Sequence, residues 1–468
     1  VGSLARALAA RGHEVHLVLP LYGTVDRRAF NVRHAGLQVA AGLPRAPQPF
    51  EVFRAGADAP DTPTVWMLGH PLFDRAGVYG DAAGEFGDNH LRFAAFCLGA
   101  LELARQRFPS LDVVHLHDWQ TALAALYLRA HGVRRDDSVS AARVVFTIHN
   151  LVYTGSFGED TLADIGLSRE LYQPDALEFY GRLALVKGGL VYADELTTVS
   201  PRYAREIQTP EFGHGFDGLL RSRSEALAGI LNGIDVQTWD PRSDSLIPAH
   251  YDVNSLKGKA VCKAALQREL GLEIEPRAPL FGVVSRLVWQ KGIDLVAELA
   301  DSICARGGQL AVLGTGEPHL EGWLTELARR HPGRCAVRVQ FDEALAHRII
   351  AGADAFLMPS RYEPCGLTQM YALRYGTVPI VRSVGGLDDT VDELDSVRHE
   401  GTGFKFGAST ASALWAAVQR AFDAWERRDV WTELSRRGMV QDLSWDSSAA
   451  AYEDVFRQLA SAGAAHGR

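Results

Sequence analysis

Lysine is almost missing from this chain. Its 468 residues include six lysines against 42 arginines, so a positive group here is ordinarily a guanidinium, and a lysine at a candidate site is a choice. Cysteine is scarce too: Cys97, Cys262, Cys304, Cys335 and Cys365 are odd in number, widely spaced and form no C-x-x-C pair. That pattern indicates neither a disulfide framework nor a cysteine zinc site, and it fits a reducing cytosol. No apolar run approaches the ~20 residues of a membrane span, and no signal-peptide pattern is visible. Long basic runs are also absent, and with a net charge of -9 nucleic acid and anionic membranes are poor partners. The Walker phosphate loop, H-E-x-x-H and G-x-S-x-G do not occur, which removes P-loop hydrolysis, zincin proteolysis and α/β-hydrolase chemistry.

What is present is an alternation of short apolar runs and longer amphipathic ones, the pattern of parallel sheets with crossover helices on both faces. The length calls for more than one core, and 47% apolar residues can fill two. Strands are expected at 14–20, 50–55, 64–69, 112–117, 142–148, 195–200 and 227–231. A second series is expected at 280–286, 310–314, 336–341, 354–359, 378–381 and 403–406, with helices at 290–306, 318–330, 343–352 and 366–376. Between the series, residues 239–250 are rich in Pro, Asp and Ser and read as a linker. Near the end, Asp446 and Ser447 are N-cap candidates for a helix with Tyr452, Val455, Phe456 and Leu459 on one stripe. The glycine-rich segment 73–89, which carries Tyr79, reads either as a mobile binding loop or as a solvated crossover.

Four clusters fall at carboxyl ends of expected strands, the edge where open α/β sheets bind ligands: His117-Asp118-Trp119, His149-Asn150, Arg286 with Lys291, and Glu363. In VVSRLVWQKG, Arg286 ends a strand and Lys291 begins a helix, with Gly292 relieving crowding, so both cations suit a phosphate group. In LGTGEPHLEG, residues 313–322, a glycine turn and helix start offer backbone amides to an anion. In SRYEPCGLTQ, residues 360–369, Glu363 offers acceptors beside the amides of Gly366, Leu367 and Thr368, a combination suited to hydroxyl groups. Cys365 reads as a packing residue rather than a nucleophile, because no histidine adjoins it in sequence.

Taken together, SRYEPCGLTQMYALRYGTVPIVRSVGGLDDTV, SRLVWQKG, FTIHN, HLHDW, ILNGID and the closing SW before a helix resemble the bacterial glycogen synthase and plant starch synthase family over nearly the whole chain. The resemblance implies a GT-B fold: an α/β chain of two Rossmann-like, doubly wound domains facing across a cleft. Residues 1–238 would form the acceptor-side domain, 239–441 the sugar-nucleotide domain, and 442–468 a helix crossing back to the first. It implies transfer of glucose from ADP-glucose to the non-reducing end of an α-1,4-glucan with retention, with no cofactor and no metal. Arg286 and Lys291 fall to the diphosphate, and Glu363 with the amides after Cys365 to the glucose hydroxyls. His149 falls beside the reacting sugar, Asp118 in the same pocket, Asn232 at the hinge side and Thr368 near the distal phosphate. Phe341 takes the place of a tyrosine against the adenine. His117, Trp119, Tyr79, Cys365, Gly366 and Leu367 complete the expected substrate-binding set, and Tyr371 stands where many retaining transferases carry a second glutamate.

The family pattern opens with a strand and a K-T-G-G-L loop, whereas this sequence starts inside the following helix, at VGSLARALAARG. The expectation is an N-terminal domain lacking its first strand, and from it a second reading follows: a catalytically impaired glucan-binding protein.

Overall fold

In the computed structural model the chain is described throughout except at residues 57–58, 82–83, 131–134, 136, 396, 399 and 467–468, and for the side chains of 462–466. It divides into two compact units: Val1–Val199 with Glu206–Ile230 and Ser448–Arg468, and Ser200–Arg205 with Leu231–Ser447.

The second unit is one six-stranded, wholly parallel sheet, ordered Cys335–Val339, Gln309–Gly314, Leu280–Val284, Ala355–Met358, Val378–Arg382, Phe404–Phe406. Counted along the chain this is the order 3-2-1-4-5-6 of a dinucleotide-binding sheet, and it reverses between Leu280–Val284 and Ala355–Met358. The strands read as near-continuous apolar runs because helices cover both faces. In the helix Ile293–Ala305, Leu295, Val296, Leu299 and Ile303 form the buried stripe; they share one core with Leu310, Val312, Leu324 and Phe422.

Residues 239–250 are not a linker. They belong to the second unit, where Trp239 is stacked between His347 at 3.7 Å and Tyr371 at 3.8 Å. The buried Asp244 carboxylate accepts from His347 Nδ1 at 2.7 Å and the Tyr375 hydroxyl at 2.6 Å. The Asp content that resembles a loop is thus a pair of inward polar anchors, Asp240 and Asp244, while Ser243 and Ser245 face outward.

The first unit holds two four-stranded sheets. One runs His16–Pro20, Thr64–Gly69, Phe50–Ala55, Arg33–Val39, parallel in its first pair and antiparallel beyond; the other, all parallel, runs Leu227–Gly229, Glu195–Thr198, Arg143–Ile148, Val113–His117. The last helix, Trp445–His466, packs its Tyr452 beside His115, while Glu453 holds Arg11 at 2.8 Å and His13 at 2.9 Å. It starts one residue before Asp446, and Ser444 Oγ, not Asp446 or Ser447, takes up an exposed amide, that of Asp446, at 3.3 Å. The segment 73–89 forms a small ribbon, Gly80–Asp81 against Gly84–Glu85, tied by a two-pronged Arg75–Asp88 pair at 2.8 and 2.6 Å; its residues 82–83 lie outside the described residues.

Candidate functional site

In the second unit the reversal of strand order puts the loops after Leu280–Val284 and Ala355–Met358 side by side, where a parallel sheet opens a crevice. Lys291 enters from the first loop and Glu363 from the second, and Nζ meets Oε2 at 2.5 Å. Ser360 Oγ donates to the same oxygen at 3.0 Å. Lys291 is not in the long helix: a 3-10 turn, Trp289–Lys291, precedes it, and Gly292 at φ +66° separates the two. A Cβ at Gly292 would lie 2.2 Å from Pro359 O, so only glycine lets these loops close on each other. Arg286 is exposed, and among the described residues its guanidinium reaches only Gln290, at 3.3 Å.

The turn bearing Glu363 is braced by a glycine pair whose role sequence reasoning missed. Gly386 N donates to Glu363 O at 3.1 Å, and a Cβ there would stand 2.1 Å from Cys365 O. At Gly385, φ +46°, a Cβ would stand 1.9 Å from Glu363 O. The signal was present: two glycines opening a helix just after a strand mark a close backbone approach. Cys365 lies buried near Asn232, and burial pushes its thiol up to about 12, the behaviour of a packing residue. Gly366 takes φ +70°, Leu367 is 40% exposed, and Thr368 begins the helix Thr368–Arg374. Phe341 is 92% exposed, with a free ring face.

The glycine turn at 313–322 differs from expectation. Gly316 N donates to Glu321 Oε1 at 2.7 Å, so a carboxylate of the chain already occupies that amide. An anion cradle is not available at that group.

The first unit gathers a second set. His117 Nδ1 and His149 Nε2 are 3.0 Å apart. Asp118 Oδ1 accepts from His149 N at 2.8 Å and more loosely from Asn150 N at 3.4 Å. Asp118 adopts φ +57°, a strained choice for a non-glycine residue, held at the start of the helix Trp119–Arg129. Burial drops His149 to about 4 and His115 to about 3, pushes His117 well down and lifts Asp118 to about 6. At pH 7 the imidazoles are therefore neutral and the carboxylate is mostly ionised. Phe93 links Trp119, 5.0 Å away, to Tyr79, 5.9 Å away, whose ring is 47% exposed. The structure thus brings His117, Asp118 and His149 together in one unit, and Lys291, Glu363, Cys365 and Asn232 in the other. No group of His, Cys, Asp or Glu suited to a metal ion occurs among the described residues, and no helix there is long and apolar enough to cross a membrane.

A six-stranded sheet in dinucleotide order, with a cation and a carboxylate at its switch point, is the donor-binding architecture of a GT-B glycosyltransferase, and comparison with known proteins gives the same class. A family model described as starch synthase catalytic domain matches residues 1–222, and one for group 1 glycosyl transferases matches 271–438. Glycogen synthase from Anaeromyxobacter dehalogenans (strain 2CP-C) is 50% identical over 98% of this chain and 95% of its own length. That from Geotalea uraniireducens (strain Rf4) is 45% identical over 97% and 93%. Among solved structures, the catalytic domain of starch synthase IV from Arabidopsis thaliana, bound to ADP and acarbose, superposes with a TM-score of 0.89 at 33% identity, covering 98% of this chain and 94% of that one. A sucrose-phosphate synthase from Thermosynechococcus elongatus shares the fold at a TM-score of 0.57 and 18% identity, over 98% and 92%. The chain belongs to the glycogen synthase and starch synthase family.

Proposed function

We propose that this protein transfers glucose from ADP-glucose to the non-reducing end of an α-1,4-glucan, with retention at the anomeric carbon. The observation that carries the reading is the Lys291–Glu363 pair at the switch point of the second unit, a cation and an acceptor within one hexose phosphate's reach. Donor recognition is assigned to the second unit and acceptor recognition to the first. Lys291 and Arg286 take the diphosphate, Glu363 with the amides of Gly366 and Leu367 the glucose hydroxyls, Thr368 the distal phosphate and Phe341 the adenine face. Asn232 supports the Cys365 turn. In the first unit His149, Asp118 and His117 serve the reacting hexose, and Trp119 and Tyr79 offer rings to the glucan.

The bond from C1 to the diphosphate oxygen breaks as the acceptor hydroxyl attacks from the same face, and the leaving phosphate takes that hydroxyl's proton. Negative charge grows on the diphosphate, which cations lower; positive charge grows on C1, where a neutral His149 does not repel and an ionised Asp118 attracts.

The test is incorporation of labelled glucose from ADP-glucose into glycogen, with UDP-glucose as competitor. Incorporation that β-amylase releases from chain ends is expected. No incorporation, or incorporation from UDP-glucose alone, would refute the proposal.

A further inference from the structure

Gln369 lies fully buried behind the turn that carries Glu363. Its Nε2, with two hydrogens and one of them shared, donates to Cys365 O at 3.0 Å, Gly366 O at 3.1 Å and Thr390 Oγ1 at 3.0 Å. Thr390 Oγ1 donates onward to Gly386 O at 2.6 Å, and Gly386 N donates to Glu363 O. The ring closes on the residue it started beside. At its other end Gln369 Oε1 is buried and has no hydrogen-bond partner among the described residues. An orphaned acceptor is costly, so it is the donor end that the fold needs here.

What that donor end does follows from peptide geometry. A trans peptide is planar, with its C=O and the next N–H pointing opposite ways, and the chain has no cis peptide among the described residues. Drawing the carbonyls of Cys365 and Gly366 inward therefore turns the N–H groups of Gly366 and Leu367 outward. Neither N–H has a partner among the described residues. Gly366 at φ +70° permits the pose, and the nearest atom to a Cβ placed on it would be Gln369 Oε1, at 2.4 Å.

We infer that Gln369, backed by Thr390, is a positioning residue that fixes the outward direction of the Gly366 and Leu367 amides, and so sets recognition of the hexose hydroxyls of a sugar nucleotide. This rests on the donor site proposed above. Its effect should fall on the sugar rather than on the nucleoside.

The experiment compares wild type, Gln369→Met and Thr390→Val by titration with ADP-glucose in the absence of glucan, by titration with AMP, and by steady-state rates. Gln369→Met is expected to weaken ADP-glucose binding and kcat/KM by about tenfold or more, with AMP affinity within twofold of wild type. Thr390→Val, acting one step further back, should shift the same quantities less, and the double variant should be no worse than Gln369→Met alone. Unchanged ADP-glucose affinity in Gln369→Met would overturn the inference, and so would equal losses for ADP-glucose and AMP, the mark of a merely structural role. Should Gln369→Met not fold, Thr390→Val carries the same comparison with the same two refuting results. Wild-type protein that binds ADP-glucose yet makes no glucan would refute the proposed function while leaving this comparison readable. Wild-type protein that binds no ADP-glucose would overturn both.

Discussion

Lys291→Met separates two roles that the Lys291–Glu363 contact superimposes. The Lys291 side chain is 19% exposed and that of Glu363 8%, so removing the cation strands a nearly buried carboxylate whose remaining side-chain donor among the described residues is Ser360. Breaking a fully buried pair costs about 3–5 kcal/mol; with the lysine side chain 19% exposed, about 2–3 kcal/mol is expected here. If Lys291 also neutralises the leaving diphosphate, kcat/KM for ADP-glucose falls by about 100-fold, or about 3 kcal/mol of transition-state stabilisation. Adding Glu363→Gln removes the stranded charge, so the double variant should recover much of the urea midpoint and none of the activity. Urea titrations and initial rates over a range of ADP-glucose decide it. An unchanged kcat/KM in Lys291→Met would take the residue out of the diphosphate site. Recovery of kcat/KM in the double variant would reduce it to a counter-ion for Glu363.

Three further outcomes follow from packing and charge. The folded-state values of His115 and His149 lie below those of the unfolded chain, so protons bind the unfolded state first and stability is lost as pH falls from about 6.5; Asp118, raised to about 6, works the other way. From pH 7 to 5 each of His115, His117 and His149 removes up to about 2 kcal/mol and Asp118 returns about 1, so the balance is a loss, which should be smaller by about 1 kcal/mol or more in His115→Gln; an identical pH slope would refute the argument. Gly386→Ala drives a Cβ to 2.1 Å from Cys365 O, so about 3 kcal/mol of stability should go together with activity, whereas Gly322→Ala, with open space inside the helix Pro318–Arg330, should gain about 0.5–1 kcal/mol. Lys259→Arg, forced into a buried site, should cost about 3 kcal/mol or more, while Lys405→Arg stays within about 0.5 kcal/mol; equal melting temperatures would refute the distinction.

The parallel sheet of the second unit was legible because each strand is an apolar run bounded by turn residues. Phe50–Ala55, Thr64–Gly69, Pro318–Arg330 and Glu343–Gly352 lie where periodicity puts them. The edge strand Arg33–Val39 was not legible: its residues are mostly exposed and a bulge between His34 and Leu37 breaks the alternation. Residues 150–185 hold 3-10 turns and strands of two or three residues, too short for any period to register. The expected helix from 290 begins at Ile293, since Gly292 must close on Pro359. At the site, Glu363 and Lys291 stood out as charges at strand ends. The Gln369–Thr390–Gly386 brace did not, because it is built on carbonyls that every residue has.

The scarcity of lysine turns out to mean something other than phosphate. Lys187 Nζ donates to Pro174 O at 2.5 Å and Glu178 O at 2.6 Å, and Lys259 Nζ to Ala351 O at 3.0 Å and Thr377 Oγ1 at 2.5 Å. Lys263 Nζ takes Ala278 O at 2.6 Å and Asp354 Oδ2 at 2.7 Å. All three are buried, and each meets acceptors that converge on a point, where a compact ammonium fits and a planar guanidinium with five donors would leave several unsatisfied. In this arginine-dominated chain, three of the six lysines thus stand where geometry excludes arginine. Rarity alone is consequently weak evidence that Lys291 serves a phosphate. The distinguishing facts are local: it stands at the switch point of a parallel sheet, and its side chain is 19% exposed where those of the other three are buried. A cation so placed can exchange part of its contact with Glu363 for an incoming oxyanion without being drawn out of a core, which the three buried lysines cannot do.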